Sequence, residues 1–187
     1  MENKHLIFSV IGGHAGEDEH QIFFRKKEDI KKYGWVLWLF KSHRAKPEVI
    51  QAFCKSAQSV GSEALVGFLW PRLAGSATQT QTRDYATGYS KNSIHWENIP
   101  NGMEVTGKVD GGAYAFFMDS IQLGESKVDL SMYRSFPQQQ EIRPMPGGST
   151  ICGTRVMPTQ NLIKPNVRRI SAVARLREPF CVYLRKK

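Results

Sequence analysis

The fold is decided by residues 35–70, which read WVLWLFKSHRAKPEVIQAFCKSAQSVGSEALVGFLW. Residues 35–40 are apolar at every position, which is typical of a strand covered on both faces. Residues 47–59 repeat apolar side chains at helical spacing, and Pro47 suits a first helical turn. Residues 64–70 return to an apolar strand. This order predicts one main helix at 47–59 and a possible β-α-β unit at 35–70, whose two strands could lie parallel.

The regions on either side of this unit are richer in strands than in helices. Residues 103–133 alternate apolar and polar side chains in three runs, separated by glycine-containing turns at 110–112 and 124–126. Such alternation predicts an antiparallel meander. Residues 6–11 predict a buried strand, and residues 21–33 a short strand that leads into a turn of helix. We therefore expect an α+β fold, with either a predominantly antiparallel sheet or a partly open β-barrel.

Length and charge limit the organisation and the partners. The 187 residues suit a single domain, 1–187, because a chain of this length can bury about 70% of its unfolded surface. Residues 1–133 carry 15 Lys and Arg against 15 Asp and Glu, whereas residues 134–187 carry 11 against 2. The basic C-terminal third therefore holds the whole net charge of +9. This asymmetry favours nucleic acid or an acidic protein surface as partner, and a solvated face is the alternative.

Several classes of protein are disfavoured by motifs that the sequence lacks. The three cysteines have no zinc-ligand or redox spacing, so we interpret them as buried, inert thiols. No dinucleotide-binding, Walker or nucleophile-elbow motif occurs, and we expect no cofactor. No apolar run approaches the roughly 20 residues that span a bilayer, and the first residues do not resemble a secretory signal. We expect no membrane partner and a cytoplasmic location.

The first candidate site is the segment Lys41-Ser42-His43-Arg44, which lies between a strand and the main helix. Ligands bind beyond the carboxyl ends of parallel strands, where helix N-termini attract anions. If the strands of the β-α-β unit lie parallel, the polar residues after the second strand emerge at the same edge. The nucleic-acid-binding residues predicted there are Lys41, Arg44, Arg72, Arg83 and Lys91. A solvated turn is the alternative interpretation.

The second candidate site is the stretch 168–177, in which arginines alternate with apolar residues. A regular strand would place Arg169, Arg175 and Arg177 on one face, opposite the core. Such a row of guanidinium groups could follow a phosphate backbone. The alternative is an edge strand that its charges protect from aggregation.

Histidines and aromatic residues provide weaker signals. His14 and His20 lie in an acidic stretch and are weak metal-ligand candidates, because their spacing matches no established pattern. We therefore expect no metal site. The aromatic side chains of the unit at 35–70 are interpreted as core residues, with a base-stacking pocket as a less favoured alternative. They are Trp35, Trp38, Phe40 and Trp70.

Three functions are compatible with these features, and we favour binding over catalysis. The first is a nucleic-acid-binding protein that grips the phosphate backbone of RNA or DNA through a basic surface. The second is a nuclease or a phosphoester or nucleotide hydrolase with His43 as the candidate catalytic residue, assisted by Lys41, Arg44 and Arg72. The third is an accessory or inhibitor module that binds an acidic partner.

Overall fold

A computed structural model gives the fold and describes residues 4–11, 19–40, 42, 45–70, 103–106, 113–143, 145, 149–157 and 164–186. The helices of this part are α1 (Glu19–Tyr33) and α2 (Pro47–Ser59). Neither of these two helices has the length and apolar character needed to cross a membrane. The strands are β1 (His5–Val10), β2 (Val36–Phe40), β3 (Leu65–Leu69), β4 (Met103–Thr106), β5 (Ala113–Asp129), β6 (Tyr133–Ser135), β7 (Thr150–Arg155) and β8 (Val167–Lys186). The predicted α+β class is confirmed, and α2 has the predicted bounds.

The eight described strands form one mixed sheet that is mostly antiparallel. Their order is β2-β5-β8-β3-β1-β7-β6, and β4 pairs with the second half of β8. The path runs from β2 to β6 without returning, so the sheet formed by the described strands is not closed into a barrel. The predicted antiparallel sheet is confirmed in this open form.

The strand-helix-strand order predicted for residues 35–70 is confirmed, but its two strands do not pair with each other. β3 lies parallel to β1, with Ile7 opposite Val66. β2 instead pairs antiparallel with β5, and both β5 and β8 separate β2 from β3. The expectation of parallel β2 and β3 is therefore wrong. A helical crossover permits a parallel partner without specifying which strand it is, and β1 is as apolar as β2.

β5 is longer than the sequence predicts and has different partners. It runs as one strand of 17 residues through Gly124–Ser126, which the sequence predicted as a turn. The register against β8 shifts between Leu123 and Ser126, so these residues form a bulge. β4 and β5 both pair with β8. The predicted meander is therefore wrong in its pairing, because a glycine in a bulge resembles a glycine in a turn.

α1 occupies the stretch for which the sequence predicted a short strand and a turn of helix. Its buried residues Ile22, Phe23 and Lys26 recur at helical spacing. The ring of Phe23 stacks on Trp38 with 5.3 Å between centroids. Lys26 Nζ donates to the carbonyl oxygen of Leu37 at 2.7 Å, so its buried ammonium group is hydrogen-bonded inside the protein. Because Lys26 lies on the buried face, it interrupts the apolar stripe, and the sequence of α1 lacks the regular spacing that predicts an amphipathic helix.

The sheet packs against a hydrophobic core on each face. The helix-side core lies between the sheet and the two helices, and includes Phe23 of α1 and Phe53 of α2. The second core lies on the opposite face under residues 130–145, and includes Tyr133 and Met145. Strands in the middle of the sheet are therefore covered on both faces, which explains why all six residues of β1 are buried.

The three cysteines are buried in the helix-side core. Burial raises the pKa of the Cys54 thiol to about 12 and raises the pKa values of Cys152 and Cys181 as well. Because the thiolate is the nucleophilic form, these groups are unreactive at neutral pH. The prediction that the three cysteines are buried is confirmed.

Candidate nucleic-acid interface

The carboxyl ends of the parallel strands β1 and β3 lie at one end of the sheet. The Ile11 amide donates to the Leu69 carbonyl at 3.0 Å, and the Trp70 amide donates to the Arg169 carbonyl at 3.0 Å. Lys127 lies opposite Arg169 in the register of β5 with β8. A continuous row of residues therefore crosses β5, β8, β3 and β1 at this end, which we call the Trp70 edge.

Ser42 reaches the Trp70 edge from the connection between β2 and α2. Its Oγ donates to the Thr150 carbonyl at 3.2 Å and accepts from the Ala45 amide at 3.0 Å. The Thr150 hydroxyl shares a hydrogen bond of 3.0 Å with that of Ser9, and Ser9 lies opposite Phe68 in β3. Ser42 is therefore close to the ends of β1 and β3, although β2 pairs with neither strand.

The segments of the predicted first site adjoin, in the sequence, described residues at this edge. In the sequence, Ser42 stands between Lys41 and His43, and Trp70 precedes Arg72 by two residues. Ser42 and Trp70, the described residues next to these two segments, therefore lie at the same end of the sheet. Ser42 is held there by its hydrogen bond to Thr150 and not by a parallel pairing of β2 with β3. The candidates outside the described residues are His14, Lys41, His43, Arg44, Arg72, Arg83 and Lys91. Their roles stay predictions, as do the hydrolase and the acidic-partner module.

A β-bulge at Ser171 breaks the predicted row of arginines on β8. In β3, Phe68 lies opposite Ala172 and Leu69 lies opposite Ile170, so Ser171 has no counterpart. Ala172 belongs to the helix-side core, whereas Ile170 belongs to the second core. Residues two apart on a regular strand share a face, so the bulge makes the side chains change faces.

The change of face separates the three described candidate arginines. Arg169 follows Arg168 and precedes Ile170, both on the second-core face, so Arg169 projects to the helix side. Arg175 and Arg177 flank Leu176, a helix-side residue, and project to the opposite face. The expectation that all three share a face is wrong. Exposed arginines do alternate with buried residues as predicted, but the buried residues belong to two cores.

Arg169 packs against Trp70 on the helix side of the sheet. Its guanidinium carbon lies 4.7 Å from the centroid of the indole ring, within cation–π range. The ring of His20, at the start of α1, contacts the same indole edge-on with 6.4 Å between centroids. Arg169 also forms an ion pair with Glu125, which the bulge in β5 presents. We call these residues, with Lys127 beside Arg169, the Trp70 surface.

Arg168 fixes Trp70 from the opposite face. Its side chain is buried, with Nη2 donating to the Trp70 carbonyl at 2.7 Å and Nη1 to the Met145 carbonyl at 3.5 Å. Both backbone polar groups of Trp70 are therefore bonded to residues of β8. The backbone of Trp70 is thus held by β8, although a mostly polar segment follows it in the sequence.

Arg175 is compensated by acidic residues from the first two thirds of the chain. Its Nε donates to Asp119 Oδ1 at 2.8 Å, and its Nη1 lies 3.7 Å from Glu63. The hydrogen bond and charge of Asp119, and then Glu63, raise the pKa of the Arg175 guanidinium. Arg177 lies over the ring of Phe117, 5.5 Å from its centroid. This part of β8 therefore presents no simple cationic row.

In the sequence, Trp70 was interpreted as a core residue, with a base-stacking pocket as the less favoured alternative. The structure places it at the end of β3, where it is partly exposed. One signal of its exposure was available, because Trp70 ends an apolar run and is followed by a long, mostly polar stretch. Glu125 was missed because it lies in an unrecognised bulge, and Lys127 was missed because it follows that bulge.

His20 contacts an aromatic ring at this surface, and the second predicted metal ligand, His14, lies outside the described residues. In the part of the chain that the structure describes, no three His, Cys, Asp or Glu side chains lie close enough to hold a metal ion. No family model, curated protein or solved structure matches the chain. Function is therefore inferred from the geometry of the Trp70 surface.

Proposed function

We propose that the protein binds nucleic acid, and that the Trp70 surface contributes directly to the contact. One observation carries this proposal: the guanidinium of Arg169 lies over Trp70, with Lys127 as its cross-strand neighbour. Cations next to an aromatic ring combine the two interactions that nucleic acids offer, phosphate charge and base stacking. Arg169 and Lys127 carry two positive charges against the single carboxylate of Glu125, so these three side chains have a formal charge of +1.

The ion pair with Glu125 leaves Arg169 available to a phosphate. The side chains of Arg169 and Glu125 are 48% and 66% exposed. Ion pairs this exposed contribute about 0–1 kcal/mol, because water and salt screen them. A phosphate can bind the guanidinium through two parallel hydrogen bonds and also approach Lys127, so it can displace the carboxylate.

Additional cations adjoin this surface in the sequence. Lys41 and Arg44 belong to the segment that contains Ser42, and Arg72 follows Trp70 closely. Arg83 and Lys91 occur in the same polar stretch after β3. They support the proposal through their positions in the sequence and through the net charge of +9.

A matched pair of variants on one strand tests the proposal. Binding to RNA, single-stranded DNA and duplex DNA is measured by fluorescence anisotropy, from about 50 mM salt upwards. Arg169→Gln should weaken binding and reduce the slope of log affinity against log salt by about one, as expected for one lost phosphate contact. Arg175→Gln, which removes the compensated arginine, should leave affinity and slope unchanged.

Two results would contradict the proposal. The first is a wild-type protein that binds none of the three nucleic acids at low salt. The second is an equal loss of affinity in the two variants, which would mean that binding follows total charge and not the Trp70 surface.

A further inference from the structure

The orientation of Trp70 restricts which part of its ring can meet a ligand. Its backbone amide and carbonyl are bonded to Arg169 and to Arg168. Its indole Nε1 is buried, although the residue as a whole is partly exposed. The exposed part of the side chain is therefore carbon surface, which favours stacking over hydrogen bonding with a ligand.

The environment of the ring suits a flat aromatic ligand. The guanidinium of Arg169 is itself planar, and guanidinium groups and indoles both stack on nucleobases. Because β8 holds the backbone of Trp70, the ring is positioned before a ligand arrives. Bases can reach such a ring only when they are unpaired, since bases inside a duplex stack on one another.

The distribution of described cations also disfavours a duplex ligand. Arg169 and Lys127 form a compact pair on the helix side, whereas Arg175 and Arg177 lie on the opposite face. A duplex presents phosphates continuously along two strands and is bound by extended rows of cations. A compact cationic pair beside an aromatic ring instead matches one phosphate and the base attached to it.

We infer that the ligand is a single-stranded nucleic acid, one base of which stacks at Trp70 while a neighbouring phosphate pairs with Arg169 and Lys127. This inference rests on the proposed function. Contact through the carbon surface of Trp70 accepts any base, so binding should show little sequence preference. RNA and DNA share this chemistry, and the 2′-hydroxyl is what distinguishes them.

The experiment compares single strands with the matching duplex. Affinities are measured by anisotropy for a mixed-sequence RNA strand, a DNA strand of equivalent sequence and the DNA duplex. The wild-type protein should bind one or both single strands at least about tenfold more tightly than the duplex. Trp70→Ala should weaken single-strand binding about tenfold and leave duplex binding unchanged. Trp70→Phe, which keeps a stacking ring, should retain most of the affinity.

Phe24→Ala provides the matched control, because Phe24 is an aromatic residue on α1 that is 66% exposed. It should bind like the wild type. Tryptophan fluorescence adds a readout that does not depend on the stability of the alanine variant. A single strand should quench the wild-type emission, and Trp70→Phe should lose that part of the quenching.

The three affinities separate the proposed single-stranded ligand from nucleic-acid binding in general. Tight binding of only one of the two single strands supports the inference and identifies RNA or DNA as the ligand. Equal affinity for duplex and single strands overturns it, as does an equal effect of Trp70→Ala on both, while nucleic-acid binding itself stands. If no nucleic acid binds at low salt, the proposed function fails together with the inference.

Discussion

Arg169 and Arg175 lie on the same strand, six residues apart, yet their surroundings differ in almost every respect. Arg169 projects to the helix side, contacts an indole ring and pairs with one exposed carboxylate. Arg175 projects to the opposite face and contacts two carboxylates, of which Asp119 is only 20% exposed. The difference arises from one extra residue, Ser171, and from which acids the neighbouring strands supply.

An excess of basic residues in one part of the sequence does not by itself produce a basic surface in the folded protein. The last third of the chain holds all of the net charge, but acids from earlier in the chain pack against its arginines. Glu125 pairs with Arg169, while Asp119 and Glu63 pair with Arg175. Among the described residues named here, the formal charges of Arg169, Lys127 and Glu125 sum to +1, whereas those of Arg175, Arg177, Asp119 and Glu63 sum to zero.

The largest effect is expected from Arg168→Met, which removes the buried guanidinium beneath Trp70. Its bond to the partly buried Trp70 carbonyl measures 2.7 Å, and the loss of a hydrogen bond from a charged donor costs about 2 kcal/mol. The free energy of unfolding, measured by urea denaturation, should fall by that amount. Arg175→Met, the control at the other end of the strand, should change it by less than about 1 kcal/mol. Equal losses in the two variants would contradict this difference.

A smaller effect is expected from Ser171→Ala at the bulge. Ser171 is buried, and its Oγ donates to the Phe68 carbonyl at 3.2 Å. Loss of this bond should lower the free energy of unfolding by about 1 kcal/mol. Ser59→Ala removes an exposed bond of the same type, from Ser59 Oγ to the Ser56 carbonyl at 2.8 Å, and water can replace it. Ser59→Ala should therefore have little effect, and a loss as large as that of Ser171→Ala would argue against a specific role for the bulge bond.

The smallest effect is expected from Glu125→Gln, and it has the opposite sign. Without this carboxylate, Arg169 no longer has to exchange a protein partner for a phosphate. Single-strand affinity should rise about threefold, which corresponds to an exposed ion pair of about 0.7 kcal/mol. Asp119→Asn removes the acid that pairs with Arg175 and should leave affinity unchanged. An equal rise in both variants would indicate that only net charge matters.

Much of the fold could be predicted from the sequence, because most elements have local signals. Pro47 and the apolar stripe after it define α2 within its observed bounds. The apolar runs of β1, β2 and β3 mark buried strands. Strand partners could not be predicted, since three apolar strands of similar composition are interchangeable as neighbours. α1 was misassigned because Lys26 occupies its buried face.

The candidate site was less predictable, because it depends on two irregularities in strands. Sequence alternation identified Arg169, Arg175 and Arg177 as exposed, but not which face each occupies. The bulge at Ser171 cannot be seen in the sequence, because the sheet has a core on each face. The residues before and after the bulge are therefore buried whichever face they occupy. The sequence predicted that Lys41, Arg44 and Arg72 share an edge if β2 and β3 lie parallel; these strands do not pair, and the three residues lie outside the described part of the chain.

β8 pairs with β3, β4 and β5 and therefore lies in the middle of the sheet. In the chain, however, β8 follows all three of these strands. During synthesis, the sheet cannot assemble around this position until residues 167–186 have emerged from the ribosome. The edges of β3 and β5 that β8 will cover remain unpaired until then, and nascent chains with such edges are prone to aggregate. We expect this protein to depend on chaperones more than a sheet of the same size whose middle strand is made first.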